Sequence, residues 1–482
     1  MSLIGTTPNP SAPSASTRHL LPWLVAVAFF MESLDTTILN TAVPAVSAAL
    51  NVSPLSMKSV LASYTLSLAV FIPISGWMAD RFGTRRIFAS AIALFTLGSV
   101  LCGISSNIHL LVSCRLLQGC GGAMMVPVGR LTLVRTFAKS ELVRIMSFVA
   151  IPALIGPMLG PIAGGLIVRY LHWRFIFFVN IPIGLAGLLM VYLHLPDYRE
   201  EKTPPLDIVG LILFGSGIGL LSYVLEIFGE HTLSSREILG LLTVSLALIG
   251  GYGLHATRTA FPLLQMKLFG IRTFRSAVSG GFFTRLGIGG VPFLLPLLYQ
   301  VGLGFSPIQS GLLIMPQAIA SMSTKFLLPR VLTRFGYRGV LISNTVILGL
   351  LLLLFATIGL RTPVWLIVLQ AFSYGAFTSL QYTSMNTLVY ADLNEAETSN
   401  GSSIASTMQQ LSISFGVAAA GLTTAFFIPA EFHTNAQAMI HGVHKAFVAL
   451  GILTILSTIV FAGLRSGDGD KVSQQKVLHH GG

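Results

Sequence analysis

The sequence predicts an all-α integral membrane protein of fourteen transmembrane helices, arranged as two six-helix lobes plus two inserted helices, and three observations predict it. Of the 482 residues, 53% are hydrophobic and only 10% are charged, far below the roughly 25% charged residues of a soluble domain. Apolar runs of about 20 residues, the length that crosses a bilayer, recur almost end to end. The basic residues sit in short clusters between those runs, so the formal charge of +12 points to membrane topology. A nucleic-acid partner would want them in one stripe or tail.

The runs fall near 20–44, 57–79, 87–105, 109–129, 143–169, 174–195, 207–228, 237–256, 275–300, 307–328, 339–359, 363–390, 400–428 and 443–464. Helix 1 follows a Ser-, Pro- and Thr-rich tail at 1–19 and carries Glu32, Asp35 and Asn40, so it reads as an uncleaved helix; a signal peptide would have a purely apolar core. Helix 2 ends at Gly76 and Asp80, and Arg81, Gly83, Arg85 and Arg86 follow in the loop. Helices 3 and 4 hold Cys102, Cys114 and Cys120, which are odd in number, lack metal-ligand spacing and read as packing residues. Helix 4 also carries Arg115 and Gln118. Helix 5 repeats Gly156, Gly160 and Gly164 with Pro157 and Pro161 beside them; glycines four apart allow close helix approach, and prolines free carbonyls and bend the span.

Helices 7 and 8 form the insertion. Gly215-Ser216-Gly217-Ile218-Gly219 lies inside an apolar span with no strand before it, so it is packing and not a nucleotide loop, and Glu226 reads as snorkelling. Arg285 in helix 9 either lines a cavity or snorkels. In helix 12, Gln370, Tyr374, Gln381, Tyr382 and Asn386 make a polar, aromatic stripe suited to cargo or to helix-to-helix hydrogen bonds, an ambiguity shared by Gln409 and Gln410 in helix 13. His441 and His444 supply two ligands, too few for a metal site.

An even number of helices puts both termini on one side. With the N-terminus inside, 21 of the 29 Lys and Arg residues face the cytoplasm and 6 face out, Arg115 and Arg285 remaining within helices; the positive-inside rule favours this orientation. The cytoplasmic set includes Lys139, Arg144, Lys202, Lys471 and Lys476. The expected domains are a tail at 1–19, a lobe at 20–195, a linker with the two extra helices at 196–260, a second lobe at 261–464 and a tail at 465–482. An internal repeat supports two lobes: Arg81-Phe82-Gly83-Thr84-Arg85 recurs as Arg334-Phe335-Gly336-Tyr337-Arg338, 253 residues on, each copy following the second helix of its half.

Glu32 and Asp35 are three apart on a helix and share a face. Ionisable residues within a span are costly and mark function by default, and two acids this close resist joint ionisation, which outlines a proton site. At 1.5 Å per residue, Asp35 and Arg115 both lie roughly 9 to 14 Å from the outer surface, so a charge pair is open to them, whether as a proton switch or as a permanent structural pair. Asp80 can accept from Arg side chains or cap a helix N-terminus, latching two helices on the cytoplasmic side.

The segment from Gly76 to Arg86 resembles the signature loop of the major facilitator superfamily. Leu34-Asp35-Thr36-Thr37-Ile38-Leu39-Asn40-Thr41-Ala42-Val43-Pro44 resembles the first-helix motif of its 14-helix drug:proton antiporter family of the EmrB/QacA type. Arg115-Leu116-Leu117-Gln118-Gly119 is similar to the fourth-helix motif, and Gly156 to Gly165 to the antiporter motif. Trp173 to Pro182 agrees as well, and within the family the likeness is to the HsrA- and MdtD-like transporters. The resemblance implies a proton-coupled exporter of drugs or other small amphipathic compounds in the bacterial cytoplasmic membrane, monomeric, driven by the proton gradient with no cofactor. It also implies coupling by Asp35 with Glu32 and Arg115, and gating by the signature loop and helix 5. The pattern breaks in the second half, where Thr333 replaces Asp80 and no Arg stands near Gln370, so the C-terminal lobe is expected to carry less of the coupling. A metabolite or amino-acid exporter, or a symporter, on the same fold is the rival reading. An integral-membrane enzyme is disfavoured because no nucleophile–base–acid set, metal trio or phosphate loop stands in the spans.

Overall fold

The computed structural model describes residues 15–137, 139–200, 203–227, 234–325, 327–428, 435–465 and 467–469. Most of both tails, with Lys471 and Lys476, and also Lys202 lie outside the described residues, as do the side chains of Lys139, Arg144 and Glu226. Fourteen helical rods follow one another: α1 Leu20–Ala49, α2 Pro54–Phe82, α3 Thr84–Ile104, α4 Ile108–Thr136, α5 Lys139–Tyr170, α6 Phe175–His194, α7 Ile208–Ile227, α8 Ser235–Arg258, α9 Arg272–Gly302, α10 Pro307–Thr324, α11 Leu328–Phe355, α12 Val364–Leu388, α13 Glu395–Phe427 and α14 Ala436–Ala462. Among the described residues, 12 of them are long and apolar enough to cross a membrane, α5 and α10 being the other two.

Local chemistry sets the ends. Ser234 with Glu237, Ser306 with Gln309 and Asn394 with Glu397 form capping boxes that start α8, α10 and α13, satisfying amide donors that no preceding turn can reach. The repeat seen in the sequence is one of backbone shape. Gly83 has φ 97° and ψ 140°, and Gly336 has φ 66° and ψ 163°, positive-φ conformations that only glycine enters freely. Gly83 turns the chain between α2 and α3, and Gly336 kinks the rod Leu328–Phe355 at the matching place of the second lobe.

The helix ends that carry most of the Lys and Arg residues form what we call the basic face, and the opposite ends form the far face. At the far face a single apolar cluster joins the lobes, running from Val43, Leu55 and Val60 to Val291, Phe293 and Leu450. Gln300 donates to the Thr41 carbonyl at 2.8 Å and Ser414 to that of Ala62 at 3.0 Å, and a Cβ at Gly165 would lie 2.6 Å from the Pro307 carbonyl. Lys58 is buried in this closure, its stem against Gly421. Toward the basic face the lobes have separate cores, one built within residues 21–195 and the other within residues 214–464 with Ala69 of α2 added. The lobes therefore share one core at the far face and keep mostly separate cores toward the basic face, where α2 touches the second core at Ala69.

The inserted pair lies across the seam. Phe214 and Ile218 of α7 share a cluster with Ala69 of α2 and with Leu411 and Phe415 of α13, while α8 holds to α7 through the Ser245 hydroxyl on the Gly217 carbonyl at 2.9 Å. Leu239, Val244, Leu246 and Leu254 of α8 point outward, a surface suited to lipid.

Candidate functional site

Four helices bring one polar cluster into the apolar interior of the first lobe. Arg115 of α4 donates to Asp35 of α1 at 2.6 Å, with both side chains 1% exposed. The same nitrogen donates to Gln118 at 2.7 Å. The second Asp35 oxygen accepts from the Gln118 amide at 2.9 Å and from Asn180 of α6 at 2.8 Å. Ser99 of α3 receives both amides, at 2.7 and 3.1 Å. Each Asp35 oxygen thus has a charged or amide donor, the condition under which a buried carboxylate can remain ionised. The guanidinium also stacks 4.4 Å from the centre of the Tyr64 ring, and the Tyr64 hydroxyl and the Arg115 Nε have no partner among the described residues.

A proton delivered to Asp35 would remove the charge that anchors Arg115, leaving a buried cation held by the Gln118 amide and the Tyr64 and Phe177 rings. Such a site has two arrangements of different electrostatic cost, which a switch requires. Glu32 lies one turn toward the basic face, half-buried, within electrostatic reach of Asp35 and of Arg130.

The α5 glycines face α1. A Cβ at Gly156 would strike Ser33, one at Gly160 would strike Thr37, and one at Gly164 would strike Ile38 and Thr41. Thr37 donates to the Gly156 carbonyl at 3.3 Å and Thr41 to that of Pro161 at 3.1 Å, so two carbonyls beside the Pro157 and Pro161 bends are bonded across the helix pair. This contact sets α5 directly behind the Asp35 helix.

At the basic face Asp80 pairs with Arg135 at the end of α4, at 2.9 Å, and Arg135 also reaches Glu200 at 2.7 Å. Of the two partners open to Asp80, an Arg side chain is the one present, and it comes from α4 and not from the loop: Arg81 and Arg86 point outward, and Arg85 stacks 5.2 Å from the Tyr192 ring. The extended segment after α6 completes the latch, with Glu200 donating its amide to the Asp80 carbonyl at 2.9 Å, Thr84 donating its amide to the Tyr198 carbonyl at 3.0 Å, and Arg85 donating its amide to Asp197 at 3.1 Å. Gly83 sits against Asp197 with no room for a Cβ, while Gly76 is open. In the second lobe the Thr333 hydroxyl donates to the Arg330 carbonyl, one turn back in its own helix, at 3.1 Å.

Of the residues expected on a cargo cavity, Gln118 is instead part of the Asp35 cluster. Gln381 is fully buried toward α11, between Asn344 and Thr345 at 2.8 and 2.7 Å, and Tyr374 donates to the Ile288 carbonyl at 3.2 Å. These bonds are helix to helix. Gln370 is buried, and neither of its amide atoms has a partner among the described residues. Asn40 and Gln409 are half-buried, Asn40 opening the short turn Asn40–Ala42 that interrupts α1. Arg285, Tyr382 and Asn386 do come together: Arg285 donates to Asn386 at 2.9 Å and lies 4.8 Å from the Tyr382 ring. His444 bonds the Ile358 carbonyl at 2.8 Å, and no metal-binding group of His, Cys, Asp or Glu occurs among the described residues. Ser99 and Tyr64 carry no signal in the sequence, because one small or aromatic polar residue in an apolar run carries no charge and breaks no period, and Asn180 stands within the Trp173 to Pro182 stretch with nothing there to tie it to Asp35.

The sequence profile described as "Major Facilitator Superfamily" matches residues 25–417 and 278–478. A protein of Serratia proteamaculans (strain 568), described as "Putative multidrug resistance protein MdtD", is 41% identical over 444 residues, covering 91% of this chain and 92% of its own. One of the same description from Pectobacterium carotovorum subsp. carotovorum (strain PC1) is 42% identical over 414 residues, covering 86% and 88%. Among solved structures, a bacterial homologue of the human lysosomal transporter Spinster, inward-facing and unoccupied, superposes with a TM-score of 0.67 at 14% identity, over 97% of this chain and 98% of that one. A D-xylose–proton symporter does so with a TM-score of 0.65 at 14% identity, over 94% and 99%.

Proposed function

Because the chain belongs to the major facilitator superfamily, we propose that it is a secondary active transporter that exports drugs or other small amphipathic compounds in exchange for protons, by alternating access. The multidrug-resistance description of relatives 41% and 42% identical over most of both chains supports the cargo class. The observation that carries proton coupling is the Asp35–Arg115 pair, 2.6 Å apart, buried, and supported by Gln118 and Asn180. The basic face is the cytoplasmic face of a bacterial inner membrane, with both termini there, and this conformer, whose lobes share a core at the far face and have mostly separate cores at the basic face, is the inward-facing one. A proton taken up at Asp35 from the far side loosens Arg115 and favours return to this state; its loss to the cytoplasm restores the pair. The protein needs the proton gradient and no cofactor, performs no covalent chemistry and works as a monomer.

The test is export from proteoliposomes under an imposed pH gradient. Asp35→Asn abolishes gradient-driven export in a protein that still folds; unchanged export in that variant would sink the assignment.

A further inference from the structure

The two arginines within the spans differ in one respect that bears on cargo. Arg115 has a carboxylate. Arg285, only 4% exposed, forms no ion pair among the described residues. Its contacts are the neutral Asn386 oxygen at 2.9 Å and the face of Tyr382 at 4.8 Å, and its Nε has no acceptor among the described residues. A cation withdrawn from water costs several kcal/mol unless an opposite charge and hydrogen bonds return it, and an amide dipole and a ring return only part.

The position of Arg285 is as informative as its isolation. The offset of 253 residues that carries Gly83 onto Gly336 also carries Glu32 onto Arg285. The two residues occupy matching places on the first helix of each lobe, in the region where the lobes have separate cores. Asn386, bonded to Arg285, is exposed near the basic end of α12. A guanidinium whose buried Nε lacks an acceptor among the described residues, bonded to an exposed amide and backed by an aromatic ring, has the chemistry to receive an oxyanion in fork geometry.

We infer that Arg285, with Asn386 and Tyr382, is the anion-binding subsite of the cargo cavity, and that the cargo is an amphipathic organic anion bearing a carboxylate, sulfonate or phosphate. The inference rests on the transport reading for the steps after binding, but binding itself is independent of proton coupling.

Equilibrium binding to the full-length protein in nanodiscs tests it, with phenylbutyrate, its methyl ester and phenylbutylamine as matched probes. Phenylbutyrate is expected to bind at least about tenfold more tightly than the other two. Arg285→Gln should erase that preference, and Arg285→Lys should keep part of it, since a point charge survives without the fork. Monodisperse elution of both variants secures the comparison. Equal binding of all three probes, or phenylbutyrate binding unchanged in Arg285→Gln, overturns the inference, as does tightest binding of phenylbutylamine lost in Glu32→Gln, which would mean a cationic cargo. Arg285-dependent phenylbutyrate binding without gradient-driven export would retire the antiport reading and keep the subsite. Gradient-driven export of phenylbutyrate indifferent to Arg285→Gln would do the opposite.

Discussion

Arg115 and Asp35 come from different helices, 80 residues apart in sequence, and meet at 2.6 Å with 1% of each side chain exposed. Neither charge has water to fall back on. Removing one partner of such a pair costs about 3–5 kcal/mol, so Arg115→Gln should unfold at a markedly lower temperature. The double variant Asp35→Asn with Arg115→Gln should recover most of that loss and remain uncoupled. A double-mutant cycle read by thermal unfolding checks the sign; a double variant less stable than Arg115→Gln would contradict it.

Asn180→Ala leaves one Asp35 oxygen with the Gln118 amide as its remaining donor. Gradient-driven export should fall while equilibrium binding of cargo persists, because the residue touches the carboxylate and not the space between the lobes. Initial export rates measured beside equilibrium binding separate the two. Loss of binding and of thermal stability in step with the rate would make Asn180 a purely structural residue.

These two residues also mark where the sequence stops being legible. The fourteen helices, the paired turns at Gly83 and Gly336, and the matched depth of Asp35 and Arg115 follow from apolar length, glycine chemistry and counting along a helix. The partners of Asp35 do not. Asn180 is 145 residues from Asp35, and its place depends on how α6 rotates against α1 and α3, which no single run encodes. Gln118 illustrates the same limit: its polarity is plain in the sequence, while its direction, toward Asp35 and away from a cavity, is a matter of packing. Asp80 likewise has arginines beside it in the loop but bonds Arg135, 55 residues on.

Asp80→Asn should slow the exchange between conformers while cargo binding persists, because it weakens the latch to Arg135 without touching the interior of the lobe. Fluorescence distance measurements between the lobes, run beside equilibrium binding, separate the two effects. Normal turnover in the variant would contradict the latch.

Gly160→Ala places a Cβ 2.8 Å from that of Thr37, where α1 and α5 have no slack. Overpacking of this kind costs about 1–3 kcal/mol, and because it pushes on the helix that carries Asp35, export should fall with stability. Gly76→Ala, where the space is open, should leave the unfolding temperature unchanged.

Asp468, past the end of α14, accepts two bonds from Arg272 at the start of α9, one of them at 3.0 Å, and the Arg465 amide at 2.8 Å. The Arg272 hydrogen bonds hold its carboxyl below the usual range, outweighing the opposing effect of burial. A lowered folded value means that the tie contributes fully above the ordinary carboxylate range and is lost as pH falls through the folded value. Asp468→Asn should therefore lower the unfolding temperature by a few degrees at pH 7, and the gap to the unchanged protein should close on acidification.

The one apolar cluster that binds both lobes at the far face decides where the molecule spends its time. The helical segment Val43–Ala49 rests against Leu297–Gly302 there, and opening that side means wetting such surfaces while the separate cores at the other face stay dry. Trimming a side chain in the shared cluster penalises one conformer and spares its alternative. A lesion of this kind would show as altered occupancy of two shapes in a protein of ordinary heat resistance, so a screen for instability would pass over it and a measurement of dwell times would not.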